Sequence, residues 1–578
     1  MTARSRGLAT MAALLLVLAP PAITASSRRL VGSAAFVATS HGPSPVGGRR
    51  AASAAHAAVG GARLGRRAAS AAHAALQAHA SQPLESFYSA LGRPRAVLAP
   101  MVAQSDLPYR LLCEHLGGVG LSYTQMIHAA NFVVGNGETF RSNHLDVYPL
   151  GNAEGVLDGR AGETSSLVVA ESQARALEGL SGGDVEGARR RILAGLGGAD
   201  GGPLVKPTVV QIAGSDASVA LEAARMILDL SGTSAALRDG TPRDRLPVCA
   251  IDLNLGCPQR IARSGRYGSF LHDEEPDAAY SVLSALREHL PGEIGVTAKI
   301  RLPPTSDDHA SGRLGNISET SLPQSIDERI RRLVDSGVDL ITVHGRTRFE
   351  NKNTVGPADW DAVRRCADVA RERSGDPDFP VVSNGGIEFG RDVLRCLEET
   401  GADGVMVSEA ILENPTLFVD GGETEPTSRR LLDRQLRHAS SYLDYATLLP
   451  PLPGSLGSKG GSFNVVRSHL FKFLHRYLEE ETDLRSRLGD NEVTTIAEAR
   501  EIVSDLKERY ESLDDGELGT RRSSSEESSW YRRHRTAVAS AGGDDVAPLT
   551  VEERKERARA RISAMREERE RRVAAGAR

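Results

Sequence analysis

Short apolar runs alternate with longer amphipathic stretches between residues 94 and 420. Most of the runs close on Gly, Asn or Pro, and a near-continuous apolar run of this length is typical of a strand that is buried on both faces. Helical periodicity fills the stretches between the runs, as in Ile330, Leu333 and Val334. The eight runs are residues 96–99, 121–127, 208–213, 248–255, 295–302, 340–344, 380–383 and 404–407.

Eight successive βα units predict an α/β fold, the TIM barrel, in which helices cover a closed ring of parallel strands. A doubly wound sheet is the alternative, but it needs a Gly-x-Gly-x-x-Gly turn after its first strand, and the sequence has none there. Residues 154–206 and 303–323 do not fit the repeat, so we predict them to be insertions at the barrel surface.

The pattern changes after the barrel, at about residue 420. Residues 428–510 lose the strand signal and predict a smaller all-helical domain, with an apolar face around Leu470 and a basic face of His469, Lys472 and Arg476. From residue 514 to 578 the chain is rich in Ser, Arg and Glu, which predicts a charged, disordered tail.

The first 84 residues form a basic leader with nine arginines and no Lys, Asp or Glu, so the rest of the chain carries a net charge of −14 instead of −5. An apolar run at 11–19 has the length of a signal-peptide core, and an Arg, Ala and Ser-rich tract that repeats at 49–58 and 66–75 follows it. This arrangement resembles the two-part leaders of algae with secondary plastids. We expect an organelle-targeted protein, in a plastid first and in a mitochondrion or the cytoplasm as alternatives.

Composition excludes several classes of protein. No stretch of eighteen apolar residues exists, so we expect no membrane span in the mature protein. The five cysteines are scattered singly, which fits neither a disulfide framework nor a zinc site, and we predict no metal site. We expect a monomer with reduced thiols, one of which could be reactive.

Polar residues stand at the ends of five consecutive predicted strands, where TIM barrels carry their active sites. Any one of them could be a polar core residue with satisfied hydrogen bonds, but five in succession favour a shared ligand. They are Gln211 on the third strand, Asn254 and Cys257 at the fourth, Lys299 on the fifth, His344 on the sixth and Asn384 on the seventh.

A glycine pair, Gly385 and Gly386, follows the seventh strand, and Ser408 and Glu409 follow the eighth. An ordinary tight turn is one interpretation of the pair. The other is a phosphate site, because glycines let backbone amides approach a phosphate at this place in a barrel. Together with the strand-end residues, this site could anchor a flavin mononucleotide (FMN), with Lys299 beside the flavin ring.

The same residues also carry a family resemblance, which covers about residues 94–510. The chain is similar to the tRNA-dihydrouridine synthases, and the string from Asn254 to Leu271 resembles in particular the eukaryotic subgroup that acts on uridines 16 and 17 of the tRNA D-loop. The motifs are Ala99-Pro100-Met101, 252–259 (DLNLGCPQ), Lys299-Ile300-Arg301, 343–347 (VHGRT), 383–387 (SNGGI), Asn414-Pro415 and 466–472 (VRSHLFK).

The resemblance implies an enzyme that reduces uridine to 5,6-dihydrouridine with FMN and NADPH, and it implies roles for individual residues. Cys257 would protonate C5 of the flipped-out uracil, and Asn254 would hydrogen-bond the uracil. The flavin would be held by Ala99, Pro100, Met101, Gln211, Lys299 and His344, with Asn384, Gly385, Gly386, Ser408 and Glu409 at its phosphate end.

The resemblance also assigns tRNA contact to Arg346 at the rim and to His469, Lys472 and Arg476 in the helical domain. A simple salt bridge for Arg346 and a solvated face for the helix are the alternatives. The acidic body is unfavourable for a tRNA-binding protein unless its basic residues cluster. A flavin barrel that reduces a small molecule and a non-catalytic tRNA-binding protein are the rival functions.

Overall fold

The computed structural model describes residues 86–134, 137–147, 184–195, 206–305, 308, 325–350, 355–419, 427–452, 463–489 and 493–532. The predicted leader, most of both predicted insertions and residues 533–578 lie outside this part of the chain. All described residues belong to one compact unit.

The strands of the described chain are all parallel. They are β1 (Ala96–Leu98), β2 (Leu121–Tyr123), β3 (Ile127–His128), β4 (Thr208–Ala213), β5 (Val248–Leu255), β6 (Gly295–Arg301), β7 (Leu340–His344), β8 (Val381–Asn384) and β9 (Gly404–Val407). Because β1 pairs with both β2 and β9, and β2 pairs with β4, eight strands close into a ring, and the short β3 pairs with β4. The predicted TIM barrel is confirmed.

One predicted strand is divided. The run 121–127 forms β2 and β3, and residues 124–126 between them leave the ladder. An apolar run does not reveal such a break, because hydrophobicity alone does not distinguish a paired backbone from a buried irregular one.

Helices cover the outside of the barrel. In the described chain they are α1 (Phe87–Ala90), α2 (Leu107–His115), α3 (Ala129–Val133), α4 (Gly137–His144), α5 (Val185–Gly195), α6 (Ala217–Leu230), α7 (Thr233–Arg238), α8 (Arg260–Ser264), α9 (Gly268–Glu274), α10 (Pro276–His289), α11 (Ile326–Asp335), α12 (Trp360–Ser374), α13 (Gly390–Thr400) and α14 (Glu409–Glu413). Local signals start several of them: Asp216 and Asp359 accept hydrogen bonds from the first-turn amides of α6 and α12.

A second group of helices follows the barrel. They are α15 (Ser428–Leu448), α16 (Phe463–Phe473), α17 (His475–Leu478), α18 (Thr482–Gly489), α19 (Ile496–Glu511) and α20 (Asp515–Thr520). Their apolar residues share one continuous hydrophobic core with α2 and α14 of the barrel. The helical region is therefore fixed to the barrel by a common core.

The chain does not become an unstructured tail at residue 514. Asp514 caps α20, and 3₁₀ turns at Arg522–Ser524 and Glu526–Ser528 follow it. We call residues 521–532 the C-terminal segment. Its carbonyl and amide groups hydrogen-bond to the side chains of Arg476 and Glu480, so the prediction of disorder is wrong for 514–532. Sequence composition missed these long-range contacts, because a polar segment can be held by partners that are distant in sequence.

The barrel interior is closed by apolar side chains, among them Tyr123, Val209 and Met406, which are fully buried. Ligands can therefore enter only at an end of the barrel. None of the helices in the described ranges is both long enough and apolar enough to cross a bilayer.

Candidate active site

A cavity of about 970 Å³ opens at the carboxyl ends of the barrel strands. This volume suits a ligand of cofactor size. Of the residues predicted from sequence, ten line it: Ala99, Pro100, Lys299, His344, Arg346, Asn384, Gly385, Gly386, Ser408 and Glu409. The remaining barrel residues of the prediction, Met101, Gln211, Asn254 and Cys257, do not line it, although Cys257 directly precedes the lining residue Pro258.

Strand register explains why residues that are distant in sequence meet here. Asn254 of β5 stands opposite Lys299 of β6. One layer nearer the mouth, Arg301, His344, Asn384 and Met406 stand side by side on β6, β7, β8 and β9. Polar residues from successive strands therefore form a continuous rim around one opening.

The loop after β5 carries the Cys257 thiol, and the next residues of this loop, 258–261, line the cavity. The Asn254 side-chain oxygen accepts hydrogen bonds from the backbone amides of Gly256 (3.1 Å) and Cys257 (3.0 Å). Ser269 donates to the Cys257 carbonyl through both its amide (3.1 Å) and its hydroxyl (2.9 Å). The loop is thus pinned from both sides, which fixes the direction of the thiol.

Gly268 is required for that packing. Its φ is +69°, and a Cβ at this position would lie 2.6 Å from the Cys257 carbonyl oxygen and 2.9 Å from its Cβ. Any larger residue would both strain the backbone and displace the Cys257 loop.

A chain of buried hydrogen bonds supports Asn254 from inside the barrel. The Thr297 hydroxyl donates to Asp252 at 2.7 Å, and the Gln211 amide donates to the other oxygen of Asp252 at 2.8 Å. Asn254 in turn donates to the Gln211 oxygen at 2.8 Å. Burial raises the pKa of Asp252 to about 6. The hydrogen bonds from Gln211 and Thr297 act in the opposite direction, but burial has the larger effect. Asp252 thereby orients Gln211, and Gln211 orients the Asn254 side chain from the barrel interior.

Burial also raises the pKa of the Cys257 thiol, although Arg301 and Lys299 act in the opposite direction. The thiol is consequently un-ionised at neutral pH. A half-buried, protonated thiol at the rim of a cavity can give a proton to a ligand, whereas a thiolate would be a nucleophile.

Positive charge collects at one side of the cavity. Burial lowers the pKa of Lys299 to about 8, and the nearby Arg301 adds to that effect. Lys299 has no hydrogen-bond or ion-pair partner in the part of the chain that the structure describes. An ammonium group held in this way is costly, and an electron-rich or anionic ligand would relieve the cost.

Two arginines frame Lys299 and bind neighbouring loops. Arg301 donates to the carbonyls of Gly256 (3.0 Å) and Thr347 (2.8 Å), and Arg346 donates to the carbonyl of Gly356 (2.8 Å). A guanidinium nitrogen of Arg346 also lies 3.2 Å from Nε2 of His344.

His344 is neutral because burial and three nearby cations lower its pKa well below the ordinary value. Since a guanidinium can only donate, Nε2 of His344 accepts the hydrogen bond from Arg346, and the ring proton is on Nδ1. The imidazole is thus an oriented hydrogen-bond donor at the cavity wall.

The glycine pair forms a cradle that no other residue fits. Gly385 and Gly386 have φ of +100° and +82°. A Cβ on Gly385 would lie 2.9 Å from the His344 ring, and one on Gly386 would lie 2.9 Å from the Trp360 indole. The indole nitrogen donates to the Gly385 carbonyl at 3.1 Å, and Asn384 donates to the Met406 carbonyl at 2.8 Å. Backbone is therefore exposed to the cavity beside an oriented imidazole, which suits a phosphorylated ligand.

The structure does not bring the predicted RNA-binding residues of the helical region to the surface. His469 is completely buried, and its Nε2 lies 2.6 Å from the Asp106 carboxylate. Lys472 is also buried and donates to the carbonyl and hydroxyl of Ser468. Arg476 forms an ion pair with Glu413 at 2.7 Å. The prediction that these three residues face RNA is wrong, because they hold the helices to the barrel and to the C-terminal segment.

Arg346 lies at the cavity rim as predicted, but it is also buried. The neighbouring Arg348 forms ion pairs with Asp273 (3.0 Å) and Glu274 (3.3 Å). Arg348 is therefore engaged in salt bridges to the end of α9.

Among the cavity residues that sequence reasoning missed, two matter most for binding. Arg260 lies three residues after Cys257, is exposed, and has no ion-pair partner among the described residues. Its position just after the loop that carries Cys257 is a signal by which the sequence could have identified Arg260 as a cavity residue. Tyr531, from the C-terminal segment, also lines the cavity. No local signal could have placed it there, since it follows a polar segment more than a hundred residues after β9.

In the described ranges, no cluster of three or more His, Cys, Asp or Glu side chains is arranged to hold a metal ion. The chemistry available at the cavity is that of a protonated thiol, an unpaired ammonium, a neutral imidazole and exposed glycine backbone.

Comparison with known proteins places this site in a family. Residues 199–504 match the family model described as dihydrouridine synthase (Dus). The chain is 28% identical to a tRNA-dihydrouridine(16/17) synthase of Schizosaccharomyces pombe, over 70% of this chain and 75% of that protein. It is 29% identical to the Saccharomyces cerevisiae enzyme of that name, over 70% of each chain. It is 30% identical to a rat protein named tRNA-dihydrouridine(16/17) synthase-like, over 74% of this chain and 70% of the relative. With more than half of its length matched by the model, the chain belongs to the dihydrouridine synthase family.

Proposed function

We propose that this protein reduces uridine to 5,6-dihydrouridine in tRNA, with FMN as the bound cofactor and NADPH as the reductant. The observation that carries the proposal is that two groups lie close to each other beside one cavity. The loop of β5 brings the protonated Cys257 thiol, and the adjacent β6 brings the unpaired Lys299 ammonium. A double-bond reduction needs a proton donor and a hydride donor at neighbouring carbons, and this arrangement supplies the first beside a site for the second.

The cavity suits FMN on three grounds. Its size is adequate, its glycine cradle has no room for side chains, and its unpaired ammonium requires an electron-rich partner. Lys299 and His344 would hold the ring, with Ala99, Pro100 and Met101 beside it. Asn384, Gly385, Gly386, Ser408 and Glu409 would surround the ribityl phosphate. A reduced flavin bound there supplies the hydride.

Cys257 would donate the proton to C5 of the uracil. Its raised pKa keeps the proton on sulfur at neutral pH, and two hydrogen bonds to its backbone fix the loop beside the cavity. The side-chain oxygen of Asn254 accepts hydrogen bonds from the loop amides, and one of its N–H groups donates to Gln211. Its second N–H is therefore available to donate to a uracil carbonyl.

The substrate would be a nucleotide that is flipped out of the tRNA fold, because the cavity admits a single planar base and not a duplex. Arg260 and Arg346 lie at the rim and would contact the substrate backbone. The relatives are named for tRNA positions 16 and 17, which supports uridines of the D-loop as the target.

The compartment and the assembly state are also proposals. The basic leader 1–84 supports delivery to a plastid, with mitochondrion and cytoplasm as alternatives, and we propose that the enzyme acts as a monomer. Fusing residues 1–84 to a fluorescent protein tests the destination. Fluorescence that stays in the cytosol would contradict organelle targeting.

The activity is tested with an unmodified D-loop transcript, FMN and NADPH, followed by mass analysis of the digested RNA. We expect a gain of two hydrogens on a D-loop uridine. A protein that oxidises NADPH with a small enone but leaves the transcript unchanged would instead be a small-molecule reductase. One that binds the transcript without retaining any flavin would be a non-catalytic binding protein.

A further inference from the structure

The C-terminal segment, residues 521–532, crosses the helical region and ends at the cavity. Its 3₁₀ turns are anchored where the Ser523 amide donates to Glu480 at 2.5 Å and where Arg476 donates to the Ser525 carbonyl at 2.7 Å. Trp530 packs edge-on against His475 at 5.3 Å, and the Lys472 ammonium lies 5.2 Å from its ring centre. These contacts fix the position of the backbone that leads to Tyr531 and Arg532.

Tyr531 and Arg532 tie the end of the segment to two barrel loops. The Tyr531 amide donates to Glu413, at the end of α14, at 3.3 Å. Arg532 donates to Glu388, in the loop after β8, at 2.5 Å. Tyr531 itself is only 9% exposed and forms part of the cavity wall. The segment thus closes the side of the cavity between the ends of β8 and β9.

That side lies opposite the proton donor. In the ring of eight strands, β9 is four strands away from β5, which carries Cys257. It is also the side of the glycine cradle, because Gly385 and Gly386 follow β8 directly. Among the described residues, Tyr531 is the wall residue that the C-terminal segment contributes to this side.

Two arginines compensate charge near this side of the cavity, and one of them, Arg532, belongs to the segment. Glu388 and Glu413 would repel a phosphate, but Arg532 pairs with the first and Arg476 with the second. Each ion pair reduces the repulsion that its carboxylate would exert on a bound phosphate.

We propose that Tyr531 is a cofactor-binding residue, whose ring closes the phosphate end of the cavity and slows the release of FMN. The inference deepens the proposed function and rests on it, because it takes FMN to be the ligand. An aromatic wall excludes water from the phosphate cradle and buries apolar area against the ribityl chain.

The test is the rate of FMN release from full-length protein, measured by the recovery of flavin fluorescence after dilution. Tyr531→Ala is expected to release FMN about tenfold faster, since a lost aromatic contact of this kind commonly changes an equilibrium by that factor. Tyr531→Phe keeps the ring and should stay within about twofold of wild type. Arg522→Ala, an exposed position in the same segment, is the matched control and should not change the rate.

Riboflavin, which lacks the phosphate, tests which end of the ligand Tyr531 covers. Tyr531→Ala should affect riboflavin release less than FMN release. An equal effect on both ligands, or an FMN release rate equal to that of wild type, overturns the inference. So does a variant that weakens tRNA association alone, since Tyr531 would then belong to an RNA surface.

Failure of the inference is distinguishable from failure of the proposed function. Wild-type protein that binds neither FMN nor riboflavin would contradict the proposed function itself. The melting temperature of each flavin-free variant shows whether the substitution has disturbed the fold.

Discussion

At the scale of single residues, the site depends on groups whose ionisation is set by burial. The Cys257 thiol keeps its proton because burial outweighs the two nearby cations, and the Asn254 side chain fixes the loop that carries it. A surface cysteine beside the same cations would ionise more readily. The protonation of the proposed acid therefore depends on its burial as well as on its being a cysteine.

Substituting Cys257 with alanine tests this role. We expect Cys257→Ala to retain FMN but to form dihydrouridine about 10²- to 10⁴-fold more slowly, which is the usual contribution of a general acid. Cys366→Ala, which removes a buried thiol from α12, is the control and should keep activity. Mass analysis of the tRNA gives the rates, and turnover of Cys257→Ala at the wild-type rate would refute proton donation by the thiol.

Lys299 links the pH dependence of stability to the proposed binding of the cofactor. Its pKa falls from 10.5 to about 8, so between these values the unfolded chain holds a proton that the folded protein has lost. The free energy of unfolding therefore rises with pH across this window, and below pH 8 the buried charge destabilises the flavin-free protein.

Lys299→Met should accordingly stabilise the flavin-free protein at pH 7, by about 1 to 3 kcal/mol, while it weakens flavin retention. Urea unfolding at pH 7 and pH 10 measures the first effect, and the gain should shrink at the higher pH. Fluorescence titration with FMN measures the second. A variant that is less stable and binds FMN normally would show that Lys299 is a structural residue.

Much of this site follows from sequence, because strand ends in a barrel are identifiable from apolar runs and their closing residues. Lys299, His344, Asn384 and the glycine pair all reach the cavity for that reason. Tyr531 could not be predicted in the same way. Its position depends on long-range anchors such as Glu413 and Glu388, and a polar segment gives no periodic signal of where it will dock.

At the scale of elements, α16 shows how an amphipathic pattern can mislead. The apolar residues of α16 are buried as expected, but the polar face around His469 packs against the start of α2 instead of solvent. The His469 ring stacks on Tyr109 at 4.4 Å and donates to Asp106, which caps α2 and accepts from Tyr442. Periodicity defines a polar face, but it does not say whether water or a buried partner satisfies that face.

His469→Ala should therefore act on stability. It leaves one oxygen of the buried Asp106 carboxylate without its partner, so we expect a loss of about 2 to 4 kcal/mol in the free energy of unfolding. His469→Gln keeps a donor and should recover part of the loss. Arg437→Ala, at an exposed position of α15, is the control. Unchanged stability with weakened tRNA binding would restore the RNA-contact interpretation.

At the scale of the whole molecule, charge limits how tRNA can bind. The chain after the leader carries −14, and many described arginines are paired internally, as Arg476 is with Glu413 and Arg509 with Asp483. Long-range attraction to RNA is therefore weak, and binding must depend on a few cations near the cavity. Arg260 is one such cation, exposed and beside the proposed acid.

Arg260→Ala should weaken tRNA association and reduce the slope of log K against log salt by about 0.7 to 0.9, as the loss of one phosphate contact does. Arg225→Ala removes an exposed arginine from the outer helix α6 and should leave both quantities unchanged. Filter binding across a range of salt concentrations measures the slope. Equal effects of the two variants would place the RNA elsewhere.

The central claim is that electrons held at this cavity pass to a uridine of tRNA. Its most direct test is a single turnover without oxygen, in which FMN-loaded protein is reduced by one equivalent of NADPH and then mixed with unmodified tRNA. We predict that the absorbance of oxidised flavin returns and that one dihydrouridine forms for each flavin oxidised. A flavin that stays reduced in the presence of tRNA, or that is reoxidised without forming dihydrouridine, would contradict the account.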